Sequence, residues 1–578
     1  MICLIRPPAV ESFRVATTSV TLPLGLAYIA GALQKRDIAF DVIDAVAEAP
    51  TGKTRYYKGF LIGSRLEDIA GRIAPECTIV GISVIFTHEW PAVVQLIKLI
   101  RNLRPDMHII VGGEHCTSMP EFCLASSGAD VVAMGEGEET IIELVDAFEG
   151  RAPIAEIQGI AYRNGDDVVV NSRRPRISAV DDIAPPAWKR FDVATYNHHR
   201  MVGGMDVAAT TIPILATRGC PYQCTYCSSP NMWLPRWIPR DPVMVVDEIE
   251  YYIDTFGARN FPFQDLTAII QKPWVVTFCN EILDRGLDIT WQFPSGTRCE
   301  AVDDDVAELM RRTGMVSMSY APESGSERTR KLIKKKMKTE NLVSSVKSAI
   351  KTDLNVAIFI VIGFPHETRR EMGENIPFVK LMKTLGVTDV VVNFYTALPG
   401  TEIFNSLYDA GQINFDRQYF AHILHGSQLT PAVSHNSRFS KLELIYWKFR
   451  IFFAFYRTSR DAKLSGRTGS IGRAVTGLSK KAHKSKLQTA FRIAAKTGLA
   501  SLGVRFSARW ISKRDEAALF KNWDALYRTI RAQKQDLGVT SQTSDKTDDI
   551  HLANAIPVLR RDHQSSRVIQ LTPERNSV

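Results

Sequence analysis

Twice along its 578 residues the chain alternates short apolar runs with amphipathic helical segments, and nothing else in the sequence constrains its fold as tightly. Near the N-terminus the runs are "MICLIRP", "AFDVIDA", "TIVGISVIF", "HIIVGG" and "ADVVAMG", interleaved with segments such as "LGLAYIAGALQKR" and "PAVVQLIKLIRNL" and closed by "EETIIELVDAFEG". Strands too apolar to leave a face in water, spaced by helices, require a parallel sheet covered on both sides. Residues 1–150 are expected to form a doubly wound, Rossmann-like α/β domain. The alternation resumes over 206–430 with "IPILATR", "NFPFQD", "ITWQFPS", "MVSMSYA", "VAIFIVIGF" and "TDVVVNFY". Six such units predict a partial (β/α)6 barrel, whose chemistry belongs at the C-terminal strand ends.

Between these blocks, residues 151–205 hold "IAYRNGDDVVVN", a hairpin signal around Asn164 and Gly165, and the Pro-broken "DDIAPPAWKRFD". They read as a linker with a small hairpin. Residues 431–536 read as a basic, aromatic, mainly helical region. The tail 537–578, rich in Ser, Thr, Asp and Gln, is expected to be disordered. With 45% hydrophobic residues, a chain of this length builds several cores rather than one.

The net charge of +9 is not spread along the chain. Lys441 to Arg514 contains 18 Lys and Arg against only Glu443 and Asp461, so the remainder is net acidic. Basicity belongs to one segment, which argues against a protein built as a whole for nucleic acid. Nine cysteines, three clustered and six scattered, do not make the dense framework of a small secreted domain, and a reducing cytoplasm is expected. "MICLIRPPAV" lacks the pattern of a signal peptide, and no apolar run of about 18 residues predicts a spanning helix.

The loop "ATRGCPYQCTYC" follows the first strand of the second block and places Cys220, Cys224 and Cys227 close together without a fourth cysteine. A closed zinc site wants four ligands, so it would need Cys279, Cys299 or a histidine from elsewhere. A disulfide with one spare thiol suits the compartment poorly. Three thiolates on a four-iron cluster would instead leave one iron open to a ligand. In the first block the strand ends carry Gly112, Gly113 and Glu114, then Gly135, Glu136, Gly137 and Glu138. Such glycines admit a ligand to backbone amides, or make tight strand-to-helix turns.

The C-x3-C-x2-C spacing, after the first strand of a βα barrel, resembles the radical S-adenosylmethionine superfamily. The resemblance spans roughly residues 205–430. It includes Tyr226 beside the last cysteine, "FQDLT" around Asp265, "APESGSE" with Glu323, Ser324 and Ser326, "VIGFPHET" with Gly363 and Pro365, and "ALPGTEIF" from Ala397. A carboxylate or Gly-Pro at a strand end also serves as a cap or turn, and the order of the segments carries the likeness. It implies a 4Fe–4S cluster on the three cysteines, with S-adenosylmethionine on the open iron and cleaved by one electron to a 5′-deoxyadenosyl radical. Tyr226, Asp265, Glu323, Ser324, Ser326, Gly363 and Pro365 would then surround that cofactor.

Residues 1–150 resemble the cobalamin-binding domain attached to one branch of that superfamily, through "LPLGLAYIAGAL", "VGISVIFT", "IIVGGEHCTSMPE" and "DVVAMGEGEET". The resemblance implies Ser83, Thr87, Gly112, Gly113, Glu114, Gly135, Glu136, Gly137 and Glu138 as cobalamin-binding residues. The Asp-x-His-x-x-Gly motif of many cobalamin domains is missing. Asp106 and His108 match its start, but Val111 stands where glycine belongs and the histidine opens a buried strand, so it reads as a strand-end polar residue. His88 and His115 read as loop histidines, and the lower face of cobalt is left unassigned.

"IYWKFRIFFAFYR" and the basic stretch after it suit a membrane-surface helix, where aromatics enter the headgroup boundary and cations meet anionic lipid. An ordinary helix packed on the barrel explains them too, and RNA ranks below lipid because the aromatics alternate with aliphatic residues. The resemblance implies methylation of an unactivated carbon of a small, lipid-like or terpenoid substrate, with an electron donor such as flavodoxin or ferredoxin. Ring formation or rearrangement without methyl transfer is the alternative among enzymes; a metal-binding or redox-sensing module is the alternative outside them.

Overall fold

The computed structural model describes residues 1–12, 20–56, 59–425, 431, 433–458, 509–536 and 567–570. Its first sheet is built on β1 (Ile2–Arg6), whose first four residues are buried because neighbouring strands flank it and helices cover both faces. β1 pairs in parallel with β3 (Phe40–Asp44) on one side and β6 (Ile79–Ser83) on the other. Then follow β7 (His108–Gly112) and β8 (Val131–Ala133), also parallel. The chain thus winds outward in both directions from the gap between β1 and β6. A doubly wound sheet receives ligands outside the carboxyl ends of its strands at such a reversal.

Two features depart from expectation. The hairpin does form, as β9 (Ile160–Asn164) and β10 (Asp167–Val170), but β9 pairs antiparallel with β8 and so extends the first sheet rather than lying in a linker. Within the tail expected to be disordered, β18 (Arg567–Gln570) pairs antiparallel with β10, where Ile569 is buried. The rest of that tail lies outside the described residues. A small antiparallel sheet of β2 (Ala9–Ser12), β4 (Lys53–Tyr56) and β5 (Gly59–Ile62) sits beside the domain.

The second block forms a parallel sheet in chain order: β13 (Asn260–Pro262), β14 (Thr290–Thr297), β15 (Met315–Glu323), β16 (Asn355–Ile362) and β17 (Asp389–Phe394). Thr211 and Ile214 make isolated parallel bridges to Asn260 of β13 and to Phe263 just past it, at the place of the first of the six expected strands. Along β16 burial alternates. Val356, Ile358, Ile360 and Ile362 are fully buried in one core with Phe378, Val379 and Met382 of the helix Arg369–Leu385, while Ala357, Phe359 and Val361 on the other face are only half-buried. Val391 of β17 is exposed. That second face is therefore mixed, apolar at Phe359, Val361 and Val391 but carrying Asn393 in register with Val361.

The helix Lys441–Arg457 buries Leu444, Trp447, Ile451 and Phe455 against the last strands and is capped by Ser440, whose box with Glu443 satisfies the first turn. Farther on, the helix Trp523–Asp536 returns to the first domain, where Trp523 meets Phe122 edge-on and Lys534 pairs with Glu121 at 2.7 Å. The most basic stretch of the C-terminal region falls outside the described residues.

Candidate functional site

The cysteine loop begins where β11 (Thr217–Arg218), paired with β12 (Ile238–Pro239), meets Gly219. Gly219 has φ +87°, and a Cβ there would lie 2.2 Å from the Arg236 carbonyl, so only glycine makes this entry. The loop is then pinned from two sides: Thr225 N donates to Ile333 O at 3.2 Å, and Ile403 N donates to Thr225 O at 3.1 Å. Cys227 N closes a turn onto Cys224 O at 3.1 Å. All nine cysteines are unpaired thiols, and those of the loop are half-buried. Burial, the largest influence, raises all three thiols above their ordinary range, that of Cys227 to about 12.

Three thiols near enough to influence one another's charge, without a disulfide, fit the donor set of a cluster held on three irons. Among the described residues no three His, Cys, Asp or Glu converge tightly enough for a single ion. Cys279 is engaged elsewhere, accepting from Thr313 Oγ1 at 3.5 Å, and Cys299 lies beside Glu300, whose carboxylate accepts its amide. A cluster asks less of the loop than a mononuclear site, since each thiolate reaches its own iron.

Around the loop the barrel ends supply polar groups of two kinds. Some are already committed. Asp265, buried at the end of β13, accepts from Thr217 Oγ1 at 2.6 Å and Ala216 N at 3.3 Å; burial lifts its carboxyl to about 6 despite these bonds. It ties the first strand to the second. Ser326 caps the helix Glu327–Leu332, and Ser324 Oγ accepts from Ser326 N at 3.1 Å, so both serines shape the turn after β15. Gly363, at φ +89°, and Phe364 donate their amides to Glu367 Oε2 at 2.7 and 3.0 Å. Pro365 continues that loop, whose Phe364 and Glu367 carbonyls accept from Asn436 Nδ2 at 2.6 and 2.9 Å.

Others are held without a partner among the described residues. The hydroxyls of Thr225, Thr267 and Thr297 are buried yet make no hydrogen bond. Orphaned buried hydroxyls are costly in a closed core and reasonable where a polar ligand completes them. Glu323 stands among them in the left-handed region at φ +65°, its carboxylate 3.2 Å from Lys335 Nζ and facing Tyr226, whose ring meets Phe364 edge-on. A non-glycine residue held there stores strain, as functional sites do. The residues fit a polar cofactor seated beside the cysteine loop.

The glycine-rich edge of the first sheet lies against this loop. Glu114 faces Ser228 and adds its charge to the environment of Cys227. Gly113, at φ +123°, packs so closely on the loop after β6 that a Cβ would lie 2.4 Å from Val84 O. Ser83 ends β6, and Thr87 Oγ1 meets His115 Nδ1 at 3.1 Å in the interior. A Cβ at Gly112 or Gly135 would meet Ala133 or the Met232 carbonyl at ordinary van der Waals distance, 3.6 and 3.7 Å, whereas one at Gly137 would press on Ile29 at 2.9 Å. Ile85 and Phe86, beyond β6, expose 46% and 48% of their surface, an apolar shelf for a broad ligand such as a corrin.

Glu136 and Glu138, expected to face that ligand, are engaged elsewhere. Glu136 pairs with Arg176 at 2.7 Å and Arg218 at 3.2 Å, and Glu138 with Arg218 at 2.5 Å, all buried. His108 stacks on Phe148 at the start of β7, the end of the strand away from the site. His88 and His115 are kept neutral by burial, at about 4 and 3. Sequence reasoning missed Arg218, Lys335, Glu367 and the three threonines. A glutamate four residues after Gly363 was the available signal for Glu367.

Comparison with known proteins agrees with this geometry. Residues 14–145 match the B12 binding domain family and residues 214–379 the radical SAM superfamily. The chain is 28% identical over 391 residues to the cytidylyl-2-hydroxyethylphosphonate methyltransferase of Streptomyces wedmorensis, covering 63% of this chain and 72% of that one. It is 27% identical over 402 residues to the anaerobic magnesium-protoporphyrin IX monomethyl ester cyclase of Cereibacter sphaeroides, covering 68% and 61%. Its fold matches the cobalamin-dependent S-adenosylmethionine radical enzyme OxsB, with aqua-cobalamin and S-adenosylmethionine bound, at a TM-score of 0.61 and 14% identity, over 94% of this chain and 82% of that one. The chain is a radical SAM enzyme with an N-terminal B12-binding domain.

Proposed function

We propose that this enzyme transfers a methyl group to an unactivated carbon of a small, largely apolar molecule. The observation that carries the reading is the joining of the two sites by Arg218, which leads into the cysteine loop and pairs with Glu136 and Glu138 beside the cobalamin edge. A reaction using both cofactors needs that proximity. When bound, the cluster with S-adenosylmethionine supplies a radical by one-electron cleavage, and cobalamin supplies a transferable methyl group.

Cys220, Cys224 and Cys227 hold the cluster. Tyr226, Asp265, Glu323, Ser324, Ser326, Gly363 and Pro365 form the S-adenosylmethionine site, Glu323 and Lys335 presenting paired charges to it and Asp265 and the serines fixing its walls. Ser83, Thr87, Gly112, Gly113, Glu114, Gly135 and Gly137 shape the cobalamin edge; Glu136 and Glu138 act there by locking it to the barrel. Phe359, Val361 and Val391 offer the substrate a largely apolar wall, interrupted by Asn393 in register with Val361, which suits a lipid-like or terpenoid molecule. A flavodoxin or ferredoxin is the fitting reductant, and nine unpaired thiols suit a reducing cytoplasm.

The cyclase relative supports a second reading, ring formation without methyl transfer. The test is mass spectrometry of extracts with and without the protein, using S-adenosylmethionine labelled in its methyl group. A product heavier by one labelled methylene supports methyl transfer; an isomerised or dehydrogenated product without label supports ring chemistry.

A further inference from the structure

The helix Lys441–Arg457 is apolar on two sides. One stripe, Leu444, Trp447, Ile451 and Phe455, is buried against the barrel. The other, Leu442, Tyr446, Phe449 and Phe453, follows the same three-to-four residue spacing and faces outward, with Leu442 78%, Tyr446 58% and Phe453 47% exposed. Solvent-facing helices ordinarily carry polar residues on this side. Cations border the stripe: Arg450 lies over the Tyr446 and Trp447 rings at 5.9 and 4.9 Å, and Arg457 over Phe453 at 5.6 Å. A groove of about 630 Å³ runs between this helix and Ile376 and Lys380 of its neighbour.

We propose that this face docks on an anionic lipid bilayer. Aromatic rings at the headgroup boundary with arginines among them are what an interfacial helix presents. Charge selects among occupants. Residues 459–508, which follow directly, contain eleven Lys and Arg and a single acid, Asp461, so neither this segment nor the same face of a second copy complements a cationic groove. An anionic surface complements both. Among the described residues no helix is long and apolar enough to cross a membrane, so the helix lies along the surface. The same helix reaches the site: Leu444 packs within 3.3 Å of where a Gly363 Cβ would stand, and Asn436, just before it, holds the Phe364 and Glu367 carbonyls. The bilayer is thereby placed beside the loop after β16. This extends the lipid-like substrate proposed above, but lipid binding is measured without turnover.

The test is flotation of the full chain with phosphatidylcholine vesicles with and without phosphatidylglycerol. The expected result is co-flotation only with the anionic vesicles, weakened by salt, and falling about tenfold for each ring withdrawn in Phe449→Ser and Phe453→Ser, with helix content unchanged. Three results would overturn the proposal: no flotation, flotation unaffected by loss of both rings, or a solution dimer that the double variant converts to monomer. Failure here leaves S-adenosylmethionine cleavage and methyl transfer measurable and unaffected.

Discussion

Arg218 Nη2 donates to Glu138 Oε1 at 2.5 Å, so the strand entering the cysteine loop is bolted to the glycine-rich edge of the first sheet. Burial opposes ionisation of Glu138, but Arg218 outweighs it and holds the carboxyl below its ordinary 4.5. The stability this pair contributes is present at neutral pH and is lost as pH falls through that depressed value. Arg218→Met would strand Glu138 without its cation, and removing one member of a buried pair costs about 3–5 kcal/mol. Glu138→Gln, which retains an acceptor, costs less. Urea denaturation of both variants at neutral pH checks the order, and equal losses would remove the argument.

The three loop cysteines are expected to be individually indispensable. Alanine at Cys220, Cys224 or Cys227 leaves an iron without its thiolate, so anaerobic reconstitution gives a protein with most cluster absorbance lost and S-adenosylmethionine cleavage below detection. Alanine at Cys279, bonded to Thr313 inside a helix, leaves the cluster spectrum intact and lowers only stability. Retention of full absorbance in any loop variant would reassign the loop.

The cysteine loop stands out in the sequence because its pattern is local: three cysteines within eight residues, after an apolar strand. Strand periodicity was legible for the same reason, and five strands of the first sheet and five of the barrel lie where the apolar runs place them, with isolated bridges at the sixth. Pairings between distant residues were not. Glu136 and Glu138 read as ligand-facing because each follows a glycine, yet their partners Arg176 and Arg218 stand 40 or more residues away. The β9–β10 hairpin was recognised from Asn164 and Gly165, but nothing local says that β9 continues the sheet. Short strands such as Lys53–Tyr56, mostly polar and only four residues long, lack a period to read.

Glu323 should separate affinity from cluster assembly. Glu323→Gln keeps the size of a side chain already held at φ +65° but removes the charge opposite Lys335. Losing a charge-assisted contact is expected to weaken S-adenosylmethionine binding by roughly ten- to a hundredfold, about 1.5–3 kcal/mol, while cluster absorbance stays at the unmodified level. Equilibrium dialysis with the reconstituted protein measures the first and its spectrum the second. Loss of the cluster in this variant would move Glu323 from the cofactor site to the support of the loop.

Glu367 gives the chain a pH dependence of its own. Its Oε2 accepts from Gly363 N and Phe364 N, its Oε1 is buried without a partner among the described residues, and burial lifts the carboxyl from 4.5 to about 8, with the nearby Glu371 charge adding to the rise. Because the folded value lies above the unfolded one, the folded chain binds the extra proton between them, and stability falls as pH rises from about 4.5 to 8. Glu367→Gln keeps an acceptor for both amides and never ionises. The variant is therefore expected to melt at a higher temperature than the parent at about pH 9, with the gap narrowing as pH is lowered towards about 5. Thermal scans at both pH values read the difference directly, and a gap that does not change with pH would place the stabilisation elsewhere than in the ionisation of this carboxyl.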